Sequence, residues 1–271
     1  MTIPDLTLPG GESAVVIAGD WHGSIRWAQA VFPFLRRAVP DVRTVLHVGD
    51  FGIWPERPGQ GYLQTVEYWA RTANVDRVLV TPGNHEDWAL LDARFAAAPG
   101  ELVQLTERVF VAPRGFRFTI AGIEFTSFGG AASLDRADRT PLRDWWPTEI
   151  PTEADVARAI AGGPTEVLLT HETVDGGAAL VEQVLRSNPL GWSAEELAYS
   201  ALSRGRVTEV HRALHARILA HGHLHLKDER HFGDGQRIFS LGSDGSAGNL
   251  ALLTLPDLRW SWLGDPRAWR R

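Results

Sequence analysis

The chain has 271 residues, of which 44% are hydrophobic and 22% charged, an ordinary globular composition with length for one large domain over 1–271. No apolar run approaches the eighteen or more residues of a membrane span, and the absence of cysteine excludes disulfides and thiolate metal sites. A formal net charge of −6 speaks against a sequence-independent hold on DNA or RNA phosphates.

The first stretch, MTIPDLTLPGGES, has neither a basic nor an apolar segment of the secretory kind, so the protein is expected in the cytoplasm. Short apolar runs then recur at Ala14–Ala18, Thr44–Val48, Arg77–Thr81, Arg108–Ala112, Glu166–Thr170 and Arg217–Ala220. Bounded by turn residues, they predict buried strands. Helical patterns over Ile25–Val39 and Tyr62–Ala73 lie between the early ones, which predicts βαβ units in the first half. Phe116–Ile120 and Ile123–Phe128, joined by Ala121-Gly122, predict a hairpin, and Ala131–Pro151 a polar surface loop. Arg237–Ser240, Leu250–Leu255 and Arg259–Leu263 predict an antiparallel finish, so the sheet is expected to be mixed.

Polar residues follow the buried runs. GDWHG carries Asp20 and His22, GDFG carries Asp50, and PGNHE carries Asn84 and His85. His171 follows Thr170, and HGHLH holds His221, His223 and His225. Ligands in open α/β sheets bind beyond the carboxyl ends of strands. Taken singly, each has an ordinary alternative. An Asp after Gly is a turn residue, Asn84 could cap a helix starting at Glu86, and a lone His171 could be a satisfied polar group. His223 and His225 would point to one side of an extended segment. Five strand ends that all deliver nitrogen and oxygen ligands are harder to attribute to chance. Two divalent cations would bring four positive charges, of which Asp20 and Asp50 return two. The rest is available to a hydroxide and an anionic substrate, and one aspartate can bridge ions about 4 Å apart.

In order, Asp-x-His, Gly-Asp, Gly-Asn-His-Glu, a later His and Gly-His-x-His resemble the calcineurin-like metallophosphoesterase superfamily, over Asp20 to His225. The resemblance implies a four-layer α/β/β/α sandwich with two mixed sheets. It implies one metal on Asp20, His22, Asp50 and His225, and a second on Asp50, Asn84, His171 and His223. It gives His85 contact with the phosphate and a proton-donor role to the leaving group. His221 lies outside the motif and reads as a packing or supporting residue. Imidazole with carboxylate suits Mn, Fe, Zn, Ni or Co ions better than magnesium.

Protein Ser/Thr phosphatases of the superfamily carry Gly-Asp-x-x-Asp-Arg-Gly, whose second Asp orients the catalytic histidine and whose Arg grips phosphate. Here Ile53 and Trp54 stand at those places, which argues against protein phosphatase activity. The chain is more similar to small bacterial and phage phosphoesterases, some of which are cyclic-nucleotide phosphodiesterases. The expectation is a two-metal hydrolase of a small phosphate mono- or diester, a nucleotide or cyclic nucleotide among the candidates, with a metal-bridging hydroxide as nucleophile. A non-catalytic scaffold retaining the fold is the alternative, but it would be expected to lose ligands. A nuclease is a third reading, against which the net charge weighs. With no arginine after Asp50, the loop Gly129–Glu149 becomes the candidate source of a phosphate-gripping guanidinium. Arg139 is the first choice, ahead of Arg136 and Arg143, with Trp145-Trp146 fixing the loop. The alternative is a solvated loop pinned by those tryptophans.

Overall fold

A computed structural model describes residues 2–54 and 61–270. The chain begins with β1 (Ala14–Ala18), α1 (Ile25–Ala38), β2 (Thr44–His47), α2 (Tyr62–Thr72), β3 (Arg77–Val80) and α3 (Trp88–Ala97). Four strands follow: β4 (Val103–Gln104), β5 (Val109–Val111), β6 (Phe116–Ile120) and β7 (Ile123–Phe128). Next come α4 (Glu153–Ala161), β8 (Val167–Thr170), α5 (Ala179–Ser187), α6 (Ala194–Leu214) and β9 (Ile218–His221). The last strands are β10 (Asp228–His231), β11 (Arg237–Ser240), β12 (Leu250–Thr254) and β13 (Arg259–Trp262).

The strands form two sheets, ordered β13-β12-β1-β2-β3-β5-β4 and β10-β11-β9-β8-β7-β6. In the first, β1, β2, β3 and β5 run parallel while β12, β13 and β4 pair antiparallel. In the second, β7, β8, β9 and β11 run parallel while β6 and β10 pair antiparallel.

Alternation along each strand builds the layers. Val15 and Ile17 of β1, with Leu46 and Leu79, meet Phe118, Phe125, Val167, Leu169 and Ile218 of the other sheet. Val16 and Ala18, with Val45 and Val78, pack outward on Trp27, Phe32, Val66 and Trp88 of α1 to α3. Leu168, Leu219 and Ile238 pack on Val156 of α4 and Val207, Val210 and Leu214 of α6. Strands covered on both faces need both of their side-chain rows apolar, which is why the runs read as continuous. The result is the four-layer α/β/β/α sandwich with two mixed sheets.

Caps fix where helices start. Ser24 accepts from Trp27 N at α1, and capping boxes Thr152/Asp155 and Ser193/Glu196 open α4 and α6. Three expectations need correcting. Asn84 caps no helix: α3 starts at Trp88, capped by Asp87, which frees the Asn84 amide. Arg237–Ser240 runs parallel to β9, and its antiparallel partner is the polar edge strand β10. The Ala131–Pro151 loop is exposed in the middle but buried at both ends, at Ala131 to Leu134 and at Glu149 and Ile150.

Candidate metal centre

β1, β2 and β3 are parallel neighbours in one sheet, and β8 and β9 in the other. Their carboxyl ends therefore open on one edge of the sandwich, where Asp20, Asp50, Asn84, His171 and His223 follow. Asp20, Asp50 and His171 form a buried floor. His22, His85 and His225 form the rim, with side chains 24%, 31% and 45% exposed.

Ligand atoms of Asp20, His22, Asp50 and His225 all lie within 4.8 Å of one another. His225 Nε2 is 3.1 Å from Asp20 Oδ2, and His22 Nε2 is 3.6 Å from Asp50 Oδ2. The other oxygen of Asp50, Oδ1, faces a second group: it lies 3.2 Å from His171 Nε2, itself 3.0 Å from Asn84 Oδ1. His171 Nδ1 donates to Val48 O at 2.7 Å, so Nε2 is the free ligand atom. The His223 ring is tilted by 60° against His171 at 5.1 Å between centroids, and its Nε2 is buried with no hydrogen-bond partner among the described residues. His221 stays outside: buried, it contacts Gly222 O and Thr173 Oγ1.

His223 and His225 do not converge by strand alternation. Their φ values are +74° and +58°, so the segment bends and each backbone is left-handed. His22 and Asp50, at +46° and +49°, share that conformation. Four non-glycine residues of one cluster thus hold a sparsely populated backbone conformation, which costs free energy at each.

Glycines bring the loops close. A Cβ on Gly49 would lie 2.2 Å from His171 Nδ1, one on Gly83 2.2 Å from Asp50 Oδ1, and one on Gly222 2.0 Å from Asp20 Oδ1. Hydrogen bonds tie the same loops together. Buried Glu86 accepts from Phe51 N, Gly52 N and Gly83 N, joining the GDFG and GNHE segments. Asn249 accepts from Trp21 Nε1 and Trp27 Nε1 and donates to Asp20 O and Gly242 O, bracing GDWHG. Asp244 Oδ1 lies 3.3 Å from His22 Nδ1, which turns Nε2 toward Asp50.

Burial opposes the charge on both histidines next to the carboxylates, and the carboxylates win. His22, beside Asp244 and Asp50, is raised to about 10, and His171, beside Asp50 and Asp20, also to about 10. Asp50, despite burial, is held well below its usual range by His171 and His85. The site therefore stabilises positive charge strongly. An all nitrogen-and-oxygen donor set, two buried carboxylates and an orphaned buried imidazole nitrogen fit divalent transition metals.

The match to known families settles the kinship. A family model described as calcineurin-like phosphoesterase matches residues 13–227. The chain belongs to the calcineurin-like phosphoesterase family. No curated protein matches the phosphoesterase by sequence. Among solved structures, the protein TT1561 of Thermus thermophilus superposes with a TM-score of 0.57 at 12% identity, over 94% of this chain and 99% of that one. A dimetal phosphatase from Danio rerio superposes with a TM-score of 0.52 at 14% identity, over 89% and 92%. At these identities the likeness is one of fold.

Beside the phosphoesterase centre, Arg139 Nη2 lies 2.9 Å and 2.6 Å from Nδ1 and Nε2 of His85 and 2.8 Å from Asp135 Oδ2. Ile53 is buried in the core, and Trp54 donates from Nε1 to His85 O. The loop thus brings a guanidinium, paired with the Asp135 carboxylate, to the His85 side chain, whereas Trp54 holds only the His85 carbonyl. Burial, opposed by Asp50 and aided by Arg139, lowers the His85 pKa. Sequence reasoning missed Asp244, Asn249, Ser133 and Glu149. Only the polar run SDGSAGN hints at the first two.

Proposed function

We propose that this phosphoesterase is a two-metal hydrolase of small phosphate mono- or diesters, nucleotides and cyclic nucleotides among them. The observation that carries the reading is the placement of Asp50, which turns Oδ2 toward His22 and Oδ1 toward His171. One carboxylate can so serve two donor sets: Asp20, His22 and His225 on one side, Asn84, His171 and His223 on the other. The Danio rerio protein of like fold is a dimetal phosphatase, which agrees with this reading. Bound there, divalent cations such as Mn, Fe, Zn, Ni or Co supply positive charge against phosphate oxygens and lower the pKa of water.

The chain's own residues do the rest. On this reading a phosphate meets the floor beside the His85 ring and the Arg139 guanidinium, which lie together at the rim. Arg139, with its side chain only 10% exposed, holds His85, Asp135 and Asp144 O with its guanidinium, and would exchange some of these bonds for phosphate oxygens when substrate binds. His85, whose pKa burial and Arg139 push down, can hydrogen-bond an oxygen of the ester, and its imidazolium form would be the one to pass a proton to the leaving oxygen. Next to His22, a cleft of about 500 Å³ lined by Ser24, Arg26, Trp27, Asp244 and Arg267 has room for the rest of the substrate. A panel of mono-, di- and cyclic phosphoesters, assayed metal by metal, tests the reading. It predicts metal-dependent turnover that Asp50→Ala abolishes. No turnover of any ester with any of these metals would refute it.

A further inference from the structure

The loop between β7 and α4 supplies two buried side chains behind the centre, Ser133 and Glu149. Asn84 Nδ2 donates to Ser133 Oγ at 3.1 Å, and Ser133 Oγ donates to Glu149 Oε2 at 2.7 Å. Glu149 Oε1 accepts from Ser133 N at 2.7 Å, Trp145 Nε1 at 2.9 Å and Tyr199 OH at 3.1 Å. Its main chain is also held, with the carbonyl accepting from Arg114 Nη2 at 2.8 Å.

The polarity of this chain is forced. An ionised carboxylate only accepts. Ser133 has one hydroxyl proton, and it is committed to Glu149. What Ser133 turns toward Asn84 is therefore a lone pair, which only the amide nitrogen can satisfy. The amide oxygen must then face the other way, to His171 Nε2 at 3.0 Å. A flipped amide would set its oxygen against the Ser133 lone pair, in a site closed to water. Burial raises the Glu149 carboxyl to about 7, so it is the required acceptor above that pH.

We propose that Ser133 and Glu149 are positioning residues that lock the Asn84 amide with its oxygen toward Asp50 and His171, and so set the affinity of the second metal position alone. The inference rests on the two-metal reading above. It separates two side chains from the polar loop that otherwise reads as a carrier of arginines. Partners behind a metal ligand are typically worth about ten- to a hundredfold in metal affinity.

Calorimetric titration of Mn²⁺ into wild type, Ser133→Ala and Glu149→Gln at pH 8 tests this, with electron paramagnetic resonance to tell lone ions from spin-coupled pairs. Ser133→Ala removes the acceptor of Asn84 Nδ2. Glu149→Gln keeps the volume, but three donors claim its oxygen, so its amide nitrogen would face Ser133 Oγ and reverse the relay. In each variant one Kd should rise about tenfold or more, with the other unchanged and the coupled-pair signal diminished. A purely structural role would lower Tm and leave both Kd values alone, which would overturn the proposal. Equal weakening of both ions would overturn it too. Should Ser133→Ala fail to fold, Glu149→Gln decides. If wild type itself binds fewer than two ions, it is the two-metal reading that fails, and this inference falls with it.

Discussion

Gly222 stands between His221 and His223, and its φ lies outside the left-handed region, so alanine's backbone fits there. Only space excludes a side chain. A Cβ would sit 2.0 Å from Asp20 Oδ1, 3.1 Å from Asp20 Cγ and 3.3 Å from Val48 O. Relaxing the first contact to about 3.5 Å moves the carboxylate by roughly 1.5 Å. Asp20 is fully buried, accepts from His223 N at 3.1 Å and faces His225 Nε2 at 3.1 Å, so it has no free direction to retreat. Overpacking of this kind costs about 1–3 kcal/mol, and for a chain of this size Tm should drop by roughly 2–5 °C. Metal ligands tolerate about 0.2 Å, so a shift several times larger should weaken Mn²⁺ binding at the Asp20, His22 and His225 position at least about tenfold, near 1.4 kcal/mol. Scanning fluorimetry of metal-free Gly222→Ala, followed by Mn²⁺ titration, measures both effects. A variant that melts within about 1 °C of wild type and binds Mn²⁺ with the wild-type Kd would refute the packing argument.

His85→Ala should keep its metals and lose roughly 10²- to 10⁴-fold in turnover of a p-nitrophenyl phosphodiester; a wild-type rate would remove His85 from the chemistry. Arg139→Ala should lower kcat/KM at least about tenfold, near 1.4 kcal/mol of transition-state binding, at unchanged metal content; steady-state kinetics beside metal analysis checks both. Glu149 also predicts a pH dependence. Its folded-state value is raised by burial from 4.5 to about 7, so the stability it contributes is whole below 4.5 and lost as pH rises through 7. The loss is on the order of 3 kcal/mol. Wild-type Tm minus that of Glu149→Gln, both metal-free, should therefore fall between pH 4 and pH 8. Glu86 shifts the same way but is common to both proteins, so a flat difference would count against the burial argument.

Much of the fold was legible because its strands are covered on both faces. Ala14–Ala18 and the hairpin Phe116–Ile120 with Ile123–Phe128 have the boundaries the apolar runs predict. β10, with the sequence DERH, was not legible: an exposed edge strand needs no apolar row. The residues gathered at the centre could be named from the ends of buried runs, yet the reason two of them meet could not. His223 and His225 converge through left-handed backbone, which requires Gly222 to close on Asp20. Supporting residues were hidden by sequence distance. Asp244 reaches His22 and Asn249 reaches Trp21 across more than two hundred residues. Glu149 looked like a surface carboxylate at the end of a polar loop, since only the folded chain brings Ser133, Trp145 and Tyr199 around it.

Whether one carboxylate serves two ions is the central claim, and crystals of the manganese-loaded protein test it most directly by anomalous diffraction. The account predicts two anomalous peaks, one on each side of Asp50 and about 4 Å apart, with neither present in Asp50→Ala. A single peak in the wild type, or two peaks that survive in Asp50→Ala, would contradict it.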